Sequence, residues 1–324
     1  MPYVGVFAAL SLALALVLGF LPACSTCCAD FTFDEQPSKV VVRLDGVAVA
    51  SFVYDDAAVG RPYWCDVRSP SGIPLTRSHP PQAPDDLDHV AMHTGLWMSF
   101  GDLSGCDYWR CKARTQQVRF LEAPASHGKS GGFSVLNHYL KTDSSEVLAT
   151  EKADYQFCEV PHGYRLQWSS EFRAIDKDIV FGDQEEMGLG VRMVSSLAEK
   201  RGQGGRILDS DNRVGAKQVW GEPVEWCDSS GRIHGRWIGI TVMADPDNFQ
   251  VSWCHARDYG LIVMNPFGRK AFSKGEESRL IVSRANPLRL NYALVFHESN
   301  SNEDYHEPDA YRDFLEQILQ SQRK

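Results

Sequence analysis

The chain has 324 residues, of which 43% are hydrophobic, 11% aromatic and 23% charged, an ordinary composition for a globular protein long enough for one large all-β domain or two smaller ones. Its formal net charge of -9 argues against a nucleic-acid partner, whose phosphates require a basic surface. That charge does not discriminate among neutral substrates.

In chain order, the first segment reads as an export signal. Val4 to Leu21 form an apolar run, followed by small residues and cysteines, the pattern of a secretory h-region and its cleavage zone. Leu21-Pro22-Ala23-Cys24 approximates a bacterial lipobox, with Cys24 as the lipidated residue. A cut after Ala29 would instead release a soluble protein, and an uncleaved run is just long enough to span a bilayer. Residues 1–29 are therefore expected to be a signal peptide or lipoprotein signal. The protein is expected to be periplasmic, surface-attached or secreted, touching the membrane only through an N-terminal anchor or lipid.

Residues 30–324 read as a single β-sandwich domain, since no break in composition marks a linker and no tandem repeat is visible. Val40-Val41-Val42-Arg43-Leu44 and Ala48 to Tyr54 flank Asp45-Gly46, a tight hairpin signal. Tyr164, Leu166 and Trp168 alternate with polar residues, Arg236 to Val242 is another strand, and Leu288 to Phe296 one more. Residues 199–215, rich in glycine and charge, are expected to form an exposed loop. Only Pro308 to Gln322 has helical spacing, through Tyr311, Phe314, Leu315, Ile318 and Leu319. Many short strands separated by Gly, Pro, Asn and Asp turns predict an all-β fold, a large β-sandwich with a short C-terminal helix.

Nine cysteines are present, three of them in the export zone. The other six lack a Cys-x-x-Cys pair, so no thiolate zinc site is expected. Cys106 and Cys111 are close enough in sequence to close a short loop, but buried free thiols are the reading for most of the six. His79, His89, His93 and His255 could meet in space, yet no helical His pair supports a metal, and none is assigned. Neither Gly202-Gln203-Gly204-Gly205 nor Ser130-Gly131-Gly132 has the strand-to-helix context of a phosphate loop, and no cofactor is assigned.

The densest chemistry lies in Trp253-Cys254-His255-Ala256-Arg257-Asp258-Tyr259-Gly260, followed by Asn265-Pro266-Phe267-Gly268. Polar groups crowded beside aromatics are costly to bury unless each finds a partner, so they form a closed hydrogen-bond network or line a wet pocket. Alternation along a strand gives His255 and Arg257 one face, which Asp258 shares only after a bend. His93, Glu186 and His255 are the candidates for proton transfer. Arg77, Arg192 and Arg257 would hold a carboxylate or an oxyanion. Trp97, Trp109 and Tyr259 offer flat faces for a sugar ring, and Asp102, Asp258 and Asn265 offer groups for hydroxyls.

Several of these segments resemble, in the same order, the PmoA-like family of bacterial proteins. They are Thr76-Arg77 with Pro80-Pro81, His93-Thr94-Gly95-Leu96-Trp97, Gly101-Asp102 and Asp107-Tyr108-Trp109. Glu186-Met187-Gly188-Leu189-Gly190-Val191-Arg192, Trp226 to Gly231, and His255 to Gly260 with Asn265 to Gly268 complete the set, from about Val40 to His297. The family often carries His-His-Arg-Gly where this chain has Met92-His93-Thr94-Gly95. A methane monooxygenase subunit, which the family name implies, crosses the bilayer many times. This chain has one run of that length, so the label is read as a misnomer. The resemblance implies a galactose-mutarotase-like supersandwich found among exported, polysaccharide-degrading proteins.

Two functional readings follow. One is an exported carbohydrate-active enzyme doing acid/base chemistry, whether hydrolysis, elimination or epimerisation, on a sugar or uronic-acid derivative. The other is a non-catalytic glycan-binding surface lipoprotein. A third possibility is that the clusters only staple loops to the sandwich.

Overall fold

The computed structural model describes residues 1–3 and 30–322, so the export segment lies outside the described residues. In chain order the strands are β1 (Phe31–Gln36), β2 (Lys39–Leu44), β3 (Val47–Val53), β4 (Tyr63–Cys65), β5 (Leu96–Phe100), β6 (Thr115–Ser126), β7 (Ser130–Leu140), β8 (Val147–Val160), β9 (Gly163–Ala174), β10 (Ile179–Phe181) and β11 (Met187–Arg192). They continue with β12 (Arg206–Asp209), β13 (Pro223–Val224), β14 (Trp226–Ile233), β15 (Arg236–Ala244), β16 (Ser252–Arg257), β17 (Leu261–Asn265), β18 (Leu280–Val282) and β19 (Leu288–Ser299). Helices α1 (Ala216–Val219), α2 (Arg269–Ser273) and α3 (Glu307–Gln322) complete the described elements.

Nearly all strands join one of two antiparallel sheets, a nine-stranded one ordered β1-β2-β3-β4-β5-β11-β17-β16-β13 and an eight-stranded one ordered β12-β14-β15-β19-β9-β8-β7-β6. The sheets stack as a sandwich around one apolar core. Period-two alternation produces this directly. On β9, Tyr164, Leu166, Trp168 and Phe172 are buried, and on β5 Leu96, Met98 and Phe100 point inward. Aromatic rings from opposite sheets interlock there, with Phe52 5.0 Å and Trp64 5.2 Å from Tyr155. The buried Tyr164 hydroxyl crosses between sheets to the carbonyls of Val49 and Arg68, at 3.1 and 2.7 Å.

The Asp45-Gly46 hairpin forms where the sequence places it, with φ of 51° and 81° at the two turn residues, as a type I′ turn demands. The segment 199–215 departs from expectation. It contains β12, which pairs with β14 and buries Ile207 and Asp209. Its polar composition reflects the one face that stays wet.

α3 covers the outer face of the eight-stranded sheet. Tyr311 and Phe314 pack on Trp226, Met243, Ala293 and Val295 with Tyr305, while Leu319 turns outward. No helix among the described residues is long and apolar enough to cross a membrane. Among the described residues, the outer face of the nine-stranded sheet has no such helix. The long connection 77–95 lies on it instead.

Candidate functional site

The register of β5, β11, β17 and β16 arrays side chains in rows across that outer face. Arg257 pairs with Leu261 and Leu261 with Arg192; in the next row His255 pairs with Val263, Val263 with Gly190 and Gly190 with Trp97. Strands lie about 4.8 Å apart, so His255 and Trp97 stand about 14 Å from each other across the sheet. Gly190 is what lets this row close. The Trp97 indole lies on it, and an added Cβ would meet the ring at 2.5 Å.

The β16–β17 hairpin is closed by Asp258-Tyr259-Gly260. The Gly260 amide donates to the Arg257 carbonyl at 3.0 Å, and Gly260 takes the left-handed conformation at φ 86°. This bend leaves Asp258 exposed and sets Tyr259 beside the sheet face. Around the Tyr259 ring stand the Arg192 guanidinium at 4.3 Å, the Lys200 ammonium at 5.8 Å, and the imidazoles of His89 at 6.1 Å and His93 at 6.3 Å. His93 in turn stacks on Trp97 at 5.2 Å, which meets Trp109 edge-on at 5.3 Å. Residues scattered from 89 to 259 thus share one hub, and Trp97 and Trp109 are fully buried within it.

The connection 77–95 is pinned over this hub from within. Arg77 is buried and donates to the carbonyls of Asp86 (2.7 Å), His89 (3.3 Å) and His93 (3.0 Å) and to the Asp88 carboxylate (3.0 Å). Its donors go to the chain itself rather than to an open surface. Arg192 holds the same Asp88 oxygen at 2.8 Å, while its Nε and Nη1 have no partner. Farther out, Asp86 pairs with Lys200 at 2.7 Å and Arg201 at 2.6 Å. Burial pushes the Asp88 carboxyl up, but the bond to His89 and the cations Arg192 and Arg77 outweigh it and bring it down to about 2.

Both candidate imidazoles are driven to the neutral form. Burial, reinforced by His89, Arg192, Arg77 and Arg61, lowers His93 to about 2. Burial and the Arg257 charge lower His255 to about 4. The His255 Nδ1–H donates to the Glu185 carbonyl at 3.0 Å, which leaves the lone pair on Nε2. That Nε2 is buried without a partner and lies 3.7 Å from a Glu185 carboxylate oxygen. Two acceptors therefore face each other, of which the Glu185 oxygen already takes the Arg257 N–H at 2.9 Å. The Tyr259 phenol is raised by burial, opposed by Arg192 and Arg257 and assisted by Asp88 and Glu186, so it is a proton donor at neutral pH.

Glu186 is close enough to act electrostatically on Tyr259 and pairs with Arg110 at 2.9 Å. Arg257 bonds Glu185 at 2.9 Å. Asn265 closes the lower edge. Its amide donates to the carbonyls of Gln184 and Glu185, at 2.7 and 3.1 Å, and its oxygen accepts the Phe267 N–H. Asp102 is not drawn to the hub. It accepts the Gly105 amide at 2.9 Å within its own turn and packs on Gly182.

The sequence reading missed Arg61, Arg110 and Trp220, and gave Glu185, in the same segment as Glu186, no role. Arg61 is buried under Trp97, 5.5 Å from its ring, and bonds the carbonyls of Met92 and Trp109. Trp220 and Arg257 border a hollow of about 310 Å³ with Lys217 and Asp258. No local pattern announces these residues, because each acquires its role from a strand or loop distant in sequence. The six described cysteines outside the export zone are unbridged, Cys106 and Cys111 included. No group of metal-ligating side chains is found among the described residues.

No curated protein matches the chain. Among solved structures, a candidate kojibiose phosphorylase from the human microbiome is 8% identical, with 88% of this chain and 36% of that one covered and a TM-score of 0.37. The chain thus spans about a third of that phosphorylase's length. The Slr1438 protein from Synechocystis sp. PCC 6803 is 11% identical, with 82% and 95% covered and a TM-score of 0.35. A candidate mutarotase (YeaD) from Salmonella typhimurium is 9% identical, with 88% and 97% covered and a TM-score of 0.32. None of these carries the PmoA label that the motifs resembled. Residues 39–308 match the Family of unknown function (DUF6807), and the chain belongs to that family.

Proposed function

We propose that this is a carbohydrate-active protein that binds a sugar or uronic-acid derivative on the outer face of its nine-stranded sheet and does acid/base chemistry there. The observation that carries the reading is the Tyr259 hub. A neutral phenol stands among Arg192, Arg257, Asp88 and Glu186, beside buried imidazole and guanidinium nitrogens that lack partners. Buried polar atoms in native proteins are nearly always satisfied by protein or ordered water, so such a cluster beside a neutral phenol suits a polar ligand.

In this mechanism Tyr259 is the acid. Arg192, 4.3 Å from its ring, stabilises the negative charge that develops on the phenol oxygen as the proton leaves. Glu186, held by Arg110, is the base. His255 stays neutral, its Nδ1–H on the Glu185 carbonyl, and so positions Glu185 and Arg257 at the edge of the site. His93 serves as a neutral stacking partner rather than as a proton carrier. The reaction is a hydrolysis, elimination or epimerisation, all of which need a proton given and a proton taken.

The test is turnover on a panel of oligosaccharides and uronic acids. Tyr259→Phe and Glu186→Gln should each lower kcat by about 10²- to 10⁴-fold while ligand still binds. Wild-type turnover in both variants would remove the mechanism. A second reading, glycan binding without turnover, is favoured by the depressed His93 and His255, neither of which is a proton donor near neutrality. Binding across the panel with no product formed decides for it. We also propose that the protein is exported. The mass and N-terminal sequence of protein recovered outside the cytoplasm test this, with a lipid on Cys24 or a start after Ala29 expected.

A further inference from the structure

We infer that the hollow between α1 and the β16–β17 hairpin is a subsite for a pyranose ring bearing a carboxylate, with Trp220 as the platform and Lys217 and Arg257 as the anchors. The inference rests on the carbohydrate reading above and narrows it to acidic sugars.

The hollow holds about 310 Å³ and is bordered by Ala216, Lys217, Trp220, Ala256, Arg257 and Asp258. That volume lies within the range of small-molecule sites. Trp220 is half-buried, with its edge against Phe272 at 5.5 Å and its indole N–H without a partner. A fixed indole with an apolar face suits the C–H face of a sugar. The Arg257 guanidinium lies over one face of the indole, 5.6 Å from its centroid, gives one N–H to Glu185, and is 37% exposed, which leaves the opposite face to the ring. Lys217 is exposed and has no acidic partner among the described residues. Of the two acids nearby, Glu185 is engaged by Arg257 and Asp258 faces solvent, where it accepts hydroxyl protons. The lining itself thus carries two cations, Lys217 and Arg257, against the one carboxylate of Asp258.

The experiment titrates the full-length protein with a uronic-acid disaccharide and its carboxyl-reduced counterpart, which differ only in the acidic group. Wild-type protein should bind the acid more tightly. Lys217→Met should weaken the acid by about tenfold and leave the reduced sugar unchanged. Trp220→Ala should weaken both by about tenfold, with an unchanged far-UV spectrum and Tm showing that the variant is folded. Wild-type affinities in both variants would overturn the subsite and leave the carbohydrate reading standing. No binding of either sugar by the wild-type protein would overturn both.

Discussion

The side chains that crowd around Tyr259 carry a measurable acid sensitivity. In the unfolded chain each imidazole takes up a proton near 6.5. In the folded chain His255 does so only at about 4 and His93 at about 2. Below pH 6.5 the unfolded state therefore binds more protons, and stability that is full above that value falls as the pH drops towards 4. His255 alone accounts for about 3 kcal/mol of this loss. Urea melts between pH 7 and pH 4 should show the decline, and His255→Asn should flatten it by about that amount. An unaltered slope in the variant would mean that the imidazole is not held neutral. Sequence alone picked out His93, Trp97, Trp109, Arg192 and Tyr259, which do meet in space. It gave no means of seeing that Arg77 and Asn265 are taken up by nearby carbonyls. A string of letters lists donors, whereas their acceptors are fixed by the path of the connection 77–95 and of residues 184–185. Glu185 carried no assigned role for the same reason, since its partner Arg257 is 72 positions away.

The strands were the most legible part. The β2–β3 hairpin, β9, β15, β19 and α3 stand close to where periodicity puts them, because each buries one face and wets the other. β12 was hidden because it is only four residues long and flanked by glycine and charge. β11 was harder to read, since Gly188 and Gly190 interrupt its apolar pattern. The structure supplies the reason. An added Cβ at Gly188 would stand 2.2 Å from the Met264 carbonyl oxygen, in a residue whose φ is 105°. Backbone cannot yield as a flexible side chain can. Gly188→Ala should therefore destabilise the protein by roughly 1–3 kcal/mol or more. Chemical denaturation measures this directly, and a neutral result would show that β11 and β17 are free to separate locally.

The two outer faces of the sandwich are closed by different means, and the difference has thermodynamic weight. α3 seals the eight-stranded sheet with Tyr311 and Phe314, over a buried network in which Asp228 bonds His297 at 3.0 Å and Thr241 at 2.8 Å. Ending the chain at residue 306 would uncover Trp226, Met243 and Val295. It should lower Tm by roughly 10 °C or more, with dye binding to the bared apolar surface. Retention of the full Tm would show that the helix is an accessory. The nine-stranded sheet is closed by a connection fastened at two depths. Arg77 and Arg192, both 0% exposed, grip the 37% exposed Asp88, while Lys200 and Arg201, 37% and 38% exposed, hold the 17% exposed Asp86, which Arg192 also reaches at 3.7 Å. Concentrated electrolyte shortens the reach of charges in contact with water to about 3 Å at 1 M and barely touches those sealed from it. Rising ionic strength would thus slacken the carboxylate pairs that reach water, while the bonds from buried Arg77 to the carbonyls of Asp86, His89 and His93 keep the segment in place.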